Sequence, residues 1–219
     1  MAAKVSSGDA AANPAGPAFP EGRRYNRCAM THNGSPLFRA LDGLYEPSAI
    51  QQLADGRFLV LEDEKTHPFT LVTIGPDGAV SGIPLRQKPQ DLPKLNDLEG
   101  IALDPSGHVY AVTSHSRDGD GEEKASRERL LRFRIEGDRA VAPKVSNALK
   151  PALLAAHPVL AAAAEIRDVK EGGGLNIEAL DLSPDQQRLL IGFRSPLLGN
   201  RALVACVENP AAIFDSGEA

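Results

Sequence analysis

The chain has no tryptophan, its aromatic residues amount to only 5%, and cysteine occurs just twice, at Cys28 and Cys206. Two cysteines in separate regions, with no CxxC pair, exclude a disulfide framework and a structural zinc site. No run approaches the roughly 18 apolar residues that cross a bilayer as a helix. The N-terminal stretch MAAKVSSGDAAANPAGPAFPEG holds one lysine and no apolar h-region, which argues against a secretory signal. The expected compartment is the cytoplasm. A net charge of -5 gives no general electrostatic attraction to nucleic acid or to an acidic membrane surface. There is no GxSxG elbow, no GK[ST] follows the glycines Gly172, Gly173 and Gly174, and His32, His67, His108 and His157 lack metal-ligand spacing.

What is present is a globular composition, 42% apolar over 219 residues, enough for one sizeable core. Residues 1–24, rich in Ala, Gly, Pro and Ser, cannot bury enough surface to offset the entropy of ordering and are expected to form a disordered tail. Residues 25–219 then form a single domain.

That domain repeats. SAIQQLADGRFLVLEDE (48–64), EGIALDPSGHVYAVTSH (99–115) and EALDLSPDQQRLLIGFRS (178–195) each read as a strand, a turn rich in Asp, Ser, Pro or Gly, and a second strand. Each is therefore a β-hairpin. Counting outward from two central turn residues pairs Ser48 with Asp63 and Glu99 with Ser114, and counting around the longer third turn pairs Glu178 with Arg194. Further apolar runs at 69–78, 129–138 and 201–209 add a third or fourth strand to each copy. The expected fold is all-β: a β-propeller-like array of about three antiparallel blades, an incomplete ring, with a short helical insert near 146–168. Within that insert Pro158 predicts two short helices or one kinked helix.

The blocks DLEGIA (97–102), SHSRDGDGE (114–122) with ASRERLLRF (125–133), LNIEALDLSPD (175–185) and LLIGFRSPLLGNRALVACVENP (189–210) resemble the bacterial domain of unknown function 3616 family, as does EPSAIQQLADGRFLVLEDE (46–64). That family stands near propeller-type phytase and lactonase proteins, and the resemblance covers the chain from about residue 36 onward. Ala179 stands where the family usually has glycine. Family members continue through further strands where this chain ends in ENPAAIFDSGEA, which implies a truncated member, or one that completes itself with another chain.

In a propeller the innermost strand of every blade lines the central channel, so equivalent strand ends meet at one mouth. Asp97, Glu99, Asn176 and Glu178 are expected there, and hairpin pairing brings Asp63, Ser114, His115 and Arg194 to the same rim. Oxygen donors from Asp63, Asp97, Glu99, Asn176 and Glu178 suit Ca²⁺ or Mg²⁺ better than zinc. Such an ion polarises a phosphoryl or lactone oxygen and activates water. His115 is then the candidate general base, and Arg194 the holder of a small anionic substrate. Structural roles compete: Glu178 with Arg194 as an ion pair, Glu99 hydrogen-bonded to Ser114 or held by a neighbouring blade's arginine, Asp97 and Asn176 in Asx turns, and His115 as a turn donor. Asp118, Asp120 and Glu122 lack the frame of a calcium loop and read as a solvated hairpin loop. Two function classes follow, a divalent-metal-dependent hydrolase of phosphoesters or lactones and a non-catalytic binding or scaffold module. An inactive truncated member, or one that self-associates through open blade edges, is the third.

Overall fold

Each sequence repeat folds into one antiparallel sheet whose strands follow in chain order. The computed structural model describes residues 43–63, 67–88, 91–169 and 171–215, so the expected tail at 1–24 lies outside the described residues. The first sheet runs β1 (Pro47–Gln52), β2 (Phe58–Glu62), β3 (Phe69–Ile74), β4 (Val80–Pro84); the second β5 (Leu98–Leu103), β6 (His108–Thr113), β7 (Leu130–Glu136), β8 (Arg139–Ser146). The third has β10 (Leu189–Leu198) between β9 (Asn176–Leu182) and β11 (Arg201–Val207). The all-β, three-sheet expectation holds.

The hairpin register differs by one residue from the expected one. Ala49 faces Leu61, Gly100 faces Val112, and Ala179 faces Gly192. The reason lies in the turns, each of which holds one residue more than expected: three in the first and second hairpins and four in the third. In the second hairpin Asp104 N–H donates to His108 O at 2.9 Å, leaving Pro105, Ser106 and Gly107 as the loop, with Gly107 at φ 86°. The first closes in the same way from Leu53 to Arg57, with Gly56 at φ 90°, and the third from Ser183 to Arg188, with Gln186 at φ 62°. A type I turn followed by a left-handed residue is the usual three-residue hairpin loop, and glycine enters that region without Cβ strain.

A second irregularity recurs at the other end of each hairpin. Leu98 faces Thr113 while Gly100 faces Val112, so Glu99 is the extra residue of a β-bulge. The first sheet shifts register between Pro47 and Ala49, making Ser48 the extra residue, and in the third Ile177 faces Phe193 while Ala179 faces Gly192, making it Glu178. One position of the repeat, Ser48, Glu99 and Glu178, is therefore bulged out of the ladder in every sheet. Bulges re-aim a side chain without ending the strand.

The sheets stack face to face, with inner strand β5 lying between β1 and β9. One face of sheet 2 packs Leu98, Ile101, Val109, Ala111, Leu131 and Phe133 against Leu59, Leu61, Phe69 and Leu71 of sheet 1. Its other face packs Ala102, Tyr110, Val112 and Leu130 against Leu180, Leu189, Ile191 and Phe193 of sheet 3. Alternation along each strand supplies both sets. The approach of β5 to β9 is close enough to require glycine: a Cβ on Gly100 would stand 2.6 Å from Leu180 N and 2.7 Å from Leu180 Cβ.

The insert forms two helices, α1 (Leu149–Ala156) and α2 (Pro158–Ala164), with Pro158 at the start of the second, where its missing N–H is no loss. Leu149, Leu153, Leu160 and Ala163 join the core shared by sheets 2 and 3. A last helix, α3 (Ala212–Asp215), seats Ile213 in the same core and is held by Ser146 Oγ donating to Ile213 O at 2.9 Å.

Candidate functional site at the sheet mouth

The expected rim residues do gather, because the ends of the inner strands are joined from sheet to sheet by hydrogen bonds. Asp97 N–H donates to Asp63 Oδ1 at 2.5 Å, fixing the start of β5 on the end of the first hairpin. Ser114 N–H donates to Asp97 O, and Ile177 N–H donates to Ser114 O, each at 2.8 Å, carrying the connection on to β9. Asp97 and His115 occupy the left-handed region, at φ 61° and φ 56°. Asp tolerates that conformation, and its use at both ends of this connection turns the chain sharply at the rim.

Glu99 stands at the centre. The bulge projects it toward Glu178, Asp97 and Asp63, and no hydrogen bond reaches it from the described residues. Burial first, then repulsion from those three carboxylates, with Glu178 foremost, raises its pKa to about 8, against a smaller opposing pull from Arg127. At neutral pH its carboxyl is mostly protonated.

The flanking acids are charge-paired. Arg127 bonds Asp97 Oδ2 through Nη2 and donates to Ser116 Oγ at 3.0 Å. Ser116 Oγ in turn donates to Asp97 Oδ2 at 3.3 Å, and lies 2.8 Å from Ser114 Oγ. Arg194 Nη1 approaches Glu178 Oε1 at 3.2 Å, and Asn176 Nδ2 donates to the same oxygen at 2.9 Å. The Glu178–Arg194 ion pair was an expected structural alternative, and it forms. Asn176 Oδ1 is buried without a hydrogen-bond partner. Among the described residues no three His, Cys, Asp or Glu side chains are placed to enclose a metal ion.

The His115 side chain is enclosed although its backbone stands at the rim, which counts against its assignment as the general base. It is 1% exposed, with ring Nδ1 2.8 Å from Thr113 O, and burial, aided by the charges of Lys150 and Arg129, lowers its pKa to about 4. The carbonyl accepts, so Nδ1 carries the proton and the buried Nε2 is left without a partner. A base enclosed in this way has no path to a substrate. The expected Glu99–Ser114 bond is likewise not formed, since the bulge takes Glu99 out of the pairing and Ser114 turns to Ser116.

Sequence reasoning missed Arg127. It sits on a 3₁₀ turn at Ala125–Arg127 whose backbone is tied to the rim by His115 N–H donating to Arg127 O at 2.8 Å. The signal was the ASRERLLRF block, read only for its family resemblance. The acidic loop before it behaves as expected of a solvated hairpin loop: Asp118 Oδ1 accepts from Asp120 and Glu122 N–H at 3.0 and 2.9 Å, and Arg167 pairs with Glu122.

No family model matches the chain, and no curated protein matches it. Among solved structures it is similar to the pyrroloquinoline quinone domain of pyranose dehydrogenase from Coprinopsis cinerea, at 15% identity and TM-score 0.40, over 68% of this chain and 28% of that one. It is similar too to aldose sugar dehydrogenase from Streptomyces coelicolor, at 15% identity and TM-score 0.41, over 82% and 47%, and to a glucose dehydrogenase at 16% and 0.33, over 74% and 40%. The chain thus spans less than half the length of each. Overlaps this low assign neither a shared reaction nor a cofactor to this chain.

Proposed function

We propose that the sheet mouth is a hydrolytic site for phosphoesters or lactones of small anionic molecules, supported by a divalent cation, Ca²⁺ by its donor chemistry. The observation that carries this reading is Glu99: a carboxyl bulged out of the ladder into a ring of three other carboxylates, with no donor of its own. A cation bound there would displace the proton that otherwise relieves this repulsion, and the partnerless Asn176 Oδ1 would offer a neutral oxygen of the kind Ca²⁺ takes. Asp63, Asp97 and Glu178 are the further donors, and they would have to draw together around the ion, since no three such side chains are placed to enclose one among the described residues. A cation held there would supply the polarisation of the phosphoryl or lactone oxygen. Arg194, the more exposed partner of its ion pair, turns to the substrate's anionic group.

A second reading has its own support. Arg127 and Arg194 already neutralise Asp97 and Glu178, so the rim is also suited to bind a ligand by hydrogen bonds alone, with protonated Glu99 as donor. On the sequence blocks we propose that the chain is a member of the domain of unknown function 3616 family, and we propose a cytoplasmic location. Among the described residues no helix is long and apolar enough to cross a membrane.

Thermal unfolding in EDTA and then in millimolar calcium separates the two. Binding to the folded form alone stabilises by about 2.7 kcal/mol at a hundred-fold excess over Kd. A rise in Tm that is lost in Glu99→Gln, together with turnover of p-nitrophenyl phosphate or a simple lactone, supports the hydrolase. A Tm indifferent to calcium ends it and leaves the binding module.

A further inference from the structure

The repeat makes the two faces of each sheet unequal, and among the described residues two of these faces are left uncovered. Sheet 2 meets sheet 1 through the face holding Leu98, Ile101, Ala111 and Phe133. The same positions in sheet 1, by the shared register, are Pro47, Ile50, Val60 and Val72. They line a cavity of about 500 Å³ whose walls are all residues of sheet 1 and the Leu44 approach to it. Ile50 is 63% and Ile74 54% exposed on this face. At the other end of the array, sheet 3 turns outward the row Ala179, Gly192 and Val204, with the row Asp181, Leu190 and Cys206 beside it, so that one carboxylate lies at the side of this face. Ala179 and Gly192 are the counterparts of Gly100 and Val112, which in sheet 2 pack onto the next sheet; Val204 is 66% exposed.

We propose that these faces pack on each other between two copies of the chain: the open face of sheet 1 receives the open face of sheet 3 of a second copy, and the reverse contact closes the pair. The packing already seen twice within the array, an apolar inner strand on an inner strand with a small residue, Ala49 or Gly100, at the crossing, is repeated twice more across the copies. Two arrays of three sheets make six, within the four to eight of closed propellers. From strand spacing and rise, each three-strand face measures roughly 14 by 17 Å, so two such contacts counted on both copies cover on the order of 1,000 Å², about the least that a specific interface needs. The contacts are head-to-tail, and only closure keeps such contacts from extending into fibres. The mouth around Glu99 is then shared, with each copy's Ser48 brought next to the other copy's Glu178. The proposal stands on the faces alone and does not depend on the hydrolase reading.

Sedimentation equilibrium of the full 219-residue chain tests it, with Ile50→Glu and Val204→Glu as variants. Both side chains are exposed in the single copy, so neither substitution threatens its fold, which circular dichroism checks. The expected result is a species of twice 23.2 kDa, monomeric in either variant, with part of the dimer recovered when the two variants are mixed, because one of the two contacts is then intact. A wild-type chain that is monomeric at 100-fold dilution steps down from about 100 µM overturns the proposal. So does a dimer sensitive to only one substitution, which would be face-to-same-face, or a mass that keeps growing with concentration.

Discussion

Replacing Gly100 by alanine tests the sheet-to-sheet packing at its tightest point. The added Cβ would lie 2.6 Å from Leu180 N, 2.7 Å from Leu180 Cβ and 3.0 Å from Ala179 C. Carbon contacts are most favourable at about 3.5–4.0 Å, so β5 and β9 must separate by roughly 1 Å, and a gap of that order forfeits about a quarter to a half of the dispersion energy across it. The atoms met are mostly backbone, which cannot swing aside as a long side chain would. Overpacking of this kind costs about 1–3 kcal/mol, against which the stiffer unfolded chain returns about 0.4–1 kcal/mol. A net loss near 1.5 kcal/mol, at about 2–4 °C per kcal/mol for a chain of this size, lowers Tm by roughly 3–6 °C. Differential scanning calorimetry reads this directly. Gly119, where a Cβ meets nothing within 4 Å and φ is not left-handed, is the control for alanine at a glycine site. A Gly100→Ala protein as stable as the wild type would mean that the two sheets do not approach as described.

Three other outcomes follow from the same structure. Glu99 titrates near 4.5 when unfolded and about 8 when folded, so the folded chain holds an extra proton between those values and loses stability as pH rises through them; Glu99→Gln should match the wild type in Tm at pH 4 and exceed it at pH 9, in EDTA, and a constant difference would refute the burial of that carboxyl among like charges. His115 has the opposite sign, its pKa lowered from 6.5 to about 4, so its contribution is present above pH 6.5 and is lost on acidification toward 4; an imidazole proton resonance that titrates near 6.5 would show the ring to be solvated. Phe133 is fully buried and meets Phe69 edge-on with ring centroids 5.1 Å apart; Phe133→Ala should cost about 3–5 kcal/mol in urea denaturation, and a loss below about 1 kcal/mol would mean that sheets 1 and 2 do not share this core.

The sequence by itself determined the architecture. Alternating apolar residues around Asp, Ser, Pro and Gly turns prescribe hairpins, and their recurrence prescribes repeated sheets, because both signals are local and period two reads directly as a buried face. Pro158 in an Ala- and Leu-rich stretch divided the insert into two helices for an equally local reason. Register was not local in this sense: it depended on Gly56, Gly107 and Gln186 adopting the left-handed conformation, which shifts every pair by one. The tertiary structure alone decided the site. Three bulges took Ser48, Glu99 and Glu178 out of the pairing, a bond from Asp97 N–H to Asp63 joined two sheets, Arg127 arrived from a turn thirty residues past Asp97, and His115 went into the interior. A carboxylate's pKa, or a histidine's access to water, depends on what surrounds it in space: the acids around Glu99 come from all three repeats, and the charges nearest His115 include Lys150 of the inserted helix.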